Sequence, residues 1–208
     1  EPGTSVLFHT PAYPPFFSAP KSAKLPFFTN PLLRGADGSY SVDFDQFEQQ
    51  IVSERVSVFI LCNPQNPTGR VFTREELTRL AEICLRHKVL ICSDEIHCDI
   101  VFDGRHHIPI ASLDPEVANN TLTLMAPSKT YNVAGLYASV AVISNPDLAR
   151  RFCEIKNGLV SGPDLLALTA ARAAYLYGGP WLEDLLGYQQ ANRDWLADTL
   201  AMNFPGVE

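Results

Sequence analysis

The sequence predicts an α/β fold, a mostly parallel sheet with helices on both faces. Three observations carry this expectation. VSVFILCN (Val56 to Asn63) and VLICSDE (Val89 to Glu95) are continuous, β-branched apolar runs, as expected of strands covered on both sides. Between them, TREELTRLAEICLRHK keeps helical spacing at Leu77, Leu80, Ala81, Cys84 and Leu85. Strand, helix and strand in that order form a βαβ unit with a right-handed crossover.

Taken from the N-terminus, residues 1 to 41 hold seven of the sixteen prolines, so regular structure there is expected as short strands and turns, at Ser5 to Thr10 and Lys24 to Thr29. The central helix starts at a capping box, Thr73 with Glu76, and ends on His87 and Lys88, where the helix dipole favours cations. LTLMA (Leu122 to Ala126) and ASVAVIS (Ala138 to Ser144) are read as further strands. Beyond Pro146 the strand signals stop. Pro163 and Gly178-Gly179 frame a helix through LLALTAARAAYLY. A second long helix is expected from Pro180 towards Asn203, with Leu182, Leu185, Leu186, Leu196 and Leu200 recurring along it.

Composition narrows the function classes. The 208 residues are 46% apolar, enough to bury a large core. A net charge of -7, with no run of Lys or Arg, argues against nucleic acid as a partner. There is no apolar window of membrane-span length and no signal-peptide order at the N-terminus, so a soluble cytoplasmic protein is expected. The five cysteines (Cys62, Cys84, Cys92, Cys98, Cys153) include no C-x-x-C pair and are read as reduced core thiols. His97-Cys98-Asp99 and His106-His107 have no second cluster to complete a coordination shell, so no metal is expected.

Three polar residues occupy equivalent places: Asn66 beyond the VFILCN run, Asp94 at the end of VLICS, and Lys129 beyond LTLMA. In open α/β sheets ligands bind outside the carboxyl ends of the strands, so an amide, a carboxylate and an amine are expected to face one cleft. A lysine in apolar surroundings is a nucleophile towards aldehydes and can hold a Schiff base. A strand-end carboxylate can keep a pyridinium nitrogen protonated, and an amide can donate to a phenolic oxygen. Together these are the needs of pyridoxal 5'-phosphate.

NPQNPTGRVFTREEL, SDEIHCDIVFDG and APSKTYNVAGL resemble the class I/II, fold-type I pyridoxal-phosphate enzymes, most nearly their cystathionine β-lyase or cysteine carbon-sulfur lyase branch. The resemblance implies the three-layer large domain of that fold, with residues 1–160 forming the core of the cofactor-binding domain. Residues 161–208 would then be helices closing it and leading to a small domain absent from this sequence. It also implies Lys129 as the Schiff-base lysine, Asp94 as partner of the pyridine nitrogen and Asn66 as donor to the ring oxygen. Tyr13 would stack on the ring, Ser128 would lie near the phosphate, and His97 stands where many aminotransferases carry a tyrosine. Tyr131, Asn132, His107 and Arg70 are read as packing, turn or surface residues.

Two departures bear on the reaction. Ala126 stands where some relatives have a phosphate-binding serine, and Tyr137 where many aminotransferases have a phosphate-binding arginine. The missing arginine fits the lyase branch better. The expected activity is therefore a carbon-sulfur β-lyase releasing pyruvate, ammonia and a thiol from a cysteine conjugate. The alternatives are a class I/II aminotransferase and a non-catalytic regulatory or ligand-sensing module on the same scaffold. The resemblance also implies a small amino-acid substrate and a homodimer.

Overall fold

The computed structural model describes residues 4–204 and residue 206. In chain order the elements begin with β1 (Ser5–Thr10), α1 (Pro15–Ser22), β2 (Phe27–Pro31), the short hairpin β3 (Leu33–Arg34) and β4 (Tyr40–Ser41), and α2 (Phe44–Ser53). The centre of the chain forms β5 (Val56–Cys62), α3 (Arg74–Arg86), β6 (Leu90–Asp94), α4 (Pro115–Asn119), β7 (Thr121–Met125) and α5 (Pro127–Thr130). Then follow β8 (Val140–Ile143), α6 (Pro146–Lys156), α7 (Leu165–Tyr177) and α8 (Gly179–Asn203).

Six strands form one sheet in the order β2-β1-β5-β6-β7-β8. All neighbouring pairs are parallel except β7 with β8. From β1 the chain moves first to one side, to β2, and then to the other, to β5. The strand order therefore reverses between β1 and β5, and a crevice opens at the carboxyl ends beside that point. Residues on one strand alternate between faces. Leu7, Phe59, Leu61 and Ile91 accordingly pack with Phe47 and Ile51 of α2 and Leu77, Leu80, Ala81 and Cys84 of α3. Phe8, next to Leu7, meets Phe16 and Phe17 of α1 edge-on, at 6.0 and 5.0 Å.

The proline-rich opening departs from expectation. Instead of only strands and turns it contains α1, and the second strand begins at Phe27 rather than Lys24. Pro15 sits in the first helical turn, where a missing N–H costs nothing, and only Pro20 interrupts the ladder. Lys24 cannot begin a strand because it adopts a left-handed φ of 55° and donates its N–H back to Lys21. Four other helices escaped the sequence reading: the short α4 and α5, α2, capped by Asp43 accepting from Gln46 N–H at 2.9 Å, and α6, whose Asn145 accepts from the N–H groups of Asp147 and Leu148.

Elsewhere expectation and structure agree closely. The Thr73–Glu76 capping box forms with both reciprocal bonds, though α3 ends at Arg86 and His87 is its C-cap. α7 starts one residue after Asp164, which accepts from Ala167 N–H at 2.7 Å. α8 spans the long C-terminal segment, but none of its described residues is buried; Trp195 and Leu196 are 68% and 51% exposed. The cysteines are all free. Cys62 and Cys84 are buried, but Cys153 corrects the expectation of core thiols, because it lies on the exposed surface of α6.

Candidate active site

β5 and β6 bring their last residues side by side, with Cys62 opposite Asp94, and β7 places Leu124 opposite Asp94 on the other side. Parallel pairing thus puts the segments that follow all three strands at one end of the sheet. Tyr13, Cys62, Asn66, Asp94, Ile96, His97 and Lys129 line a single cavity there of about 220 Å³. Five of the six residues singled out in the sequence meet on its wall. The sixth, Ser128, sits beside Lys129 in α5 but is not on the wall.

The loop between β5 and α3 is held by its own side chains. Asn63 donates its N–H to Asp94 C=O at 3.0 Å, and its Oδ1 accepts from Phe72 N–H at 3.1 Å. Gln65 is buried. Its Oε1 accepts from the N–H and hydroxyl of Thr68, and its Nε2 donates to Pro11 C=O at 2.6 Å. Gly69 takes a φ of 72°, a region that strains residues bearing a Cβ, and this lets its N–H return to Gln65 C=O at 2.8 Å. Asn66 N–H points to Cys62 Sγ at 3.4 Å. Burial pushes the Cys62 thiol up to about 12, so it stands on the wall as a neutral group.

Asp94 is the electrostatic centre of the cavity. Burial, above all, raises its carboxyl from the ordinary carboxylate range; the N–H of Ile96, at 3.3 Å, and the neighbouring His97 act in the opposite sense. It forms no ion pair within 4 Å among the described residues. A half-buried carboxylate of this kind favours a cationic or proton-bearing partner placed in the cavity. His97 is lowered, chiefly by burial and further by the charge of Lys129, while Asp94 pulls the other way. Lys129 itself is exposed at the cavity mouth. This corrects the expectation of a lysine in apolar surroundings. Pro127 and Thr130 carry the burial of α5, and Thr130 donates to Asp99 at 2.9 Å, leaving the lysine on the open side.

Behind Asp94 lies a pair that sequence reading did not single out as a unit. Glu95 is fully buried and accepts from Ser93 Oγ, Ile110 N–H and His107 Nε2, the last at 2.8 Å. Cys62 and Gln65 were also missed as site residues. For Cys62 the available signal was its place as the last residue of an apolar strand, in register with Asp94. Among the described residues no cluster of three or more His, Cys, Asp or Glu side chains is arranged to hold a metal, and none of the helices is long and apolar enough to cross a membrane.

The donor set fits pyridoxal phosphate. A half-buried carboxylate without a cationic partner can face a ring nitrogen, an amine lies on the same cavity, and Tyr13, 45% exposed, lines it as well. Comparison with known proteins points the same way. The chain is 40% identical over 211 residues to cystathionine beta-lyase PatB of Bacillus subtilis, an alignment covering 100% of this chain and 54% of that protein. A PLP-bound putative aminotransferase from Clostridium difficile superimposes with a TM-score of 0.95 at 37% identity, over 99% of this chain and 53% of the other. Cystalysin from Treponema denticola, whose crystal structure contains a pyridoxal 5'-phosphate cofactor, superimposes with a TM-score of 0.93 at 34% identity, over 99% and 52%. The chain therefore spans about half the length of the relatives it matches. The family model described as aminotransferase class I and II matches residues 1–207, and with the shared fold and strand-end cavity this establishes that the chain belongs to the aminotransferase class I and II family.

Proposed function

We propose that this chain is the cofactor-holding part of a pyridoxal-phosphate-dependent carbon-sulfur β-lyase that acts on a cysteine conjugate such as cystathionine. The observation that carries the reading is the single cavity on which the Asp94 carboxylate, the Lys129 amine, Asn66, His97 and Tyr13 converge. When bound, the cofactor supplies an electron sink for charge developing at the substrate Cα. Lys129 would provide the amine that holds the cofactor and a base for the substrate Cα proton. Asp94, whose own ionisation burial disfavours, gains from holding a proton-bearing ring nitrogen opposite it. Asn66 and a neutral His97 offer N–H donors to the ring oxygen, and Tyr13 offers a face for stacking. Ser128, in the first turn of α5, serves the phosphate.

The lyase reading draws on the PatB likeness and on Tyr137, which stands where an arginine would favour a transaminase. An aminotransferase is the second reading, favoured by the Clostridium difficile neighbour. A homodimer and a small domain following residues 161–208 belong to the same proposal and rest on the resemblance, and a cytoplasmic location is the expectation from composition.

The test is borohydride reduction of the full-length protein with its cofactor, followed by peptide mapping. The expected label is on Lys129; a label elsewhere, or none, overturns the reading. Incubation with cystathionine then separates the two activities. Pyruvate with stoichiometric free thiol supports the lyase, whereas amino transfer that requires an added keto acid supports the transaminase. Light scattering checks the dimer.

A further inference from the structure

The cavity depends on a spacing that no residue on its wall sets. Tyr13 follows β1 and Asn66 follows β5, and two loops beyond the ends of neighbouring strands are free to diverge unless something ties them. Gln65 is that tie. Its side-chain amide is 4% exposed as a residue and uses both ends. Nε2 donates to Pro11 C=O, two residues before Tyr13, at 2.6 Å. Oε1 accepts from Thr68 N–H at 2.9 Å and from Thr68 Oγ at 2.6 Å.

The orientation of the amide is unambiguous, because a carbonyl on one side can only accept and an N–H on the other can only donate. The backbone of Gln65 is engaged as well, its N–H to Arg70 C=O at 2.9 Å and its C=O from Gly69 N–H at 2.8 Å. Every polar group of the residue is thus committed, and its direct neighbour in the chain is Asn66.

We propose that Gln65 is a positioning residue that clamps the loop after β5 to the loop after β1 and so fixes the separation between Asn66 and Tyr13. The inference rests on the cofactor reading given above, since that separation matters only if Tyr13 and Asn66 would hold the same ring. A clamp of this kind acts by preorganisation. The loops are fixed before the ligand arrives, so binding does not have to order them. Gln65 itself touches no reacting atom.

The chemistry of the amide supplies a selective variant. Gln65→Glu keeps an acceptor for Thr68 but turns an oxygen towards Pro11 C=O, breaking only the strand-to-strand half of the clamp. Gln65→Met removes both halves without introducing a charge and serves should the glutamate prevent folding. Thr68→Val removes one bond internal to the loop and leaves the clamp intact.

The experiment uses the full-length protein. Pyridoxal 5'-phosphate is titrated by visible absorption and circular dichroism, and hydrogen exchange is followed in cofactor-free protein over residues 11–18 and 63–70. Both Gln65 variants are expected to weaken cofactor binding by at least about tenfold, the size of a lost buried hydrogen bond. They should also change the dichroism of the bound chromophore and speed exchange in both segments together. Thr68→Val should stay within about twofold of wild type in affinity.

Faster exchange or a lower melting temperature with unchanged affinity and dichroism would make Gln65 merely structural and overturn the inference. Equal losses in Thr68→Val and the Gln65 variants would overturn it too, placing the effect within the loop. A wild-type protein that binds cofactor without labelling at Lys129 would instead sink the reading beneath it. The two failures are therefore distinguishable.

Discussion

Each polar residue of the cavity answers to its neighbours more than to its own chemistry. Asp94 is an ordinary carboxylate made reluctant to ionise by burial, and a partner bearing a proton relieves that. Asp94→Asn keeps the shape and removes the charge. It is expected to lower kcat of the full-length enzyme by about 10²–10³-fold, the cost of removing a preorganised electrostatic partner. Steady-state kinetics against intact cofactor loading check it, and an unchanged kcat would remove Asp94 from the mechanism. Lys129→Ala should abolish turnover and the reductively trapped label together. At this scale the sequence was partly legible. Asn66, Asp94 and Lys129 could be found because each stands at the end of an apolar run, and strand ends converge by topology. Gln65 could not, because its bond to Pro11 C=O joins segments far apart in the chain. The exposure of Lys129 was hidden for the same reason, since it depends on which side of α5 faces the sheet.

Elements were legible where their signals are local. α3 carries its own start in Thr73 and Glu76 and its own face in Leu77, Leu80, Ala81 and Cys84, so no distant contact was needed to place it. The structure bears this out, with Thr73 Oγ accepting from Glu76 N–H at 3.2 Å and Glu76 accepting from Thr73 N–H at 2.9 Å. Thr73→Ala is expected to destabilise the protein by about 1 kcal/mol, the usual cost of an N-cap, as a shifted midpoint in urea with an unchanged slope. Glu76 also pairs with Arg70, whose guanidinium lies 4.3 Å over the Phe72 ring. Glu76→Ala should therefore cost more than Thr73→Ala, and equal losses would show that the Arg70 contact adds nothing. α1 was illegible because its two prolines argue locally against a helix. The aromatic packing of Phe16 and Phe17 on Phe8, a contact with a different element, outweighs them.

Across the whole molecule, acid stability turns on a residue that the chemistry does not use. His9 lies in β1 at the meeting of four elements, with Phe47, Phe59 and Phe72 within 5.2 to 6.1 Å and its Nδ1 3.3 Å from Asn30 C=O. Its Nε2 is buried without a hydrogen-bond partner among the described residues. Burial, above all, holds the imidazole down to about 4, with the bond to Asn30 opposing and the charge of Arg70 contributing to the fall. Above the ordinary histidine value His9 is neutral whether the chain is folded or not and contributes no pH dependence. As pH falls below about 6.5, the unfolded chain takes a proton that the folded one refuses, and stability drops until the folded group titrates near 4. The loss over that window is about 3 kcal/mol. Asp94 acts with the opposite sign. Its raised carboxyl holds a proton in the fold where the unfolded chain has lost it, so acid favours the fold there and offsets part of the loss. Urea midpoints of the full-length apoprotein from pH 7 to 4 should therefore fall in wild type. In His9→Leu they should be lower at pH 7, because Asn30 C=O loses a contact, but nearly level across the window. Parallel slopes in the two proteins would show that another group governs acid unfolding.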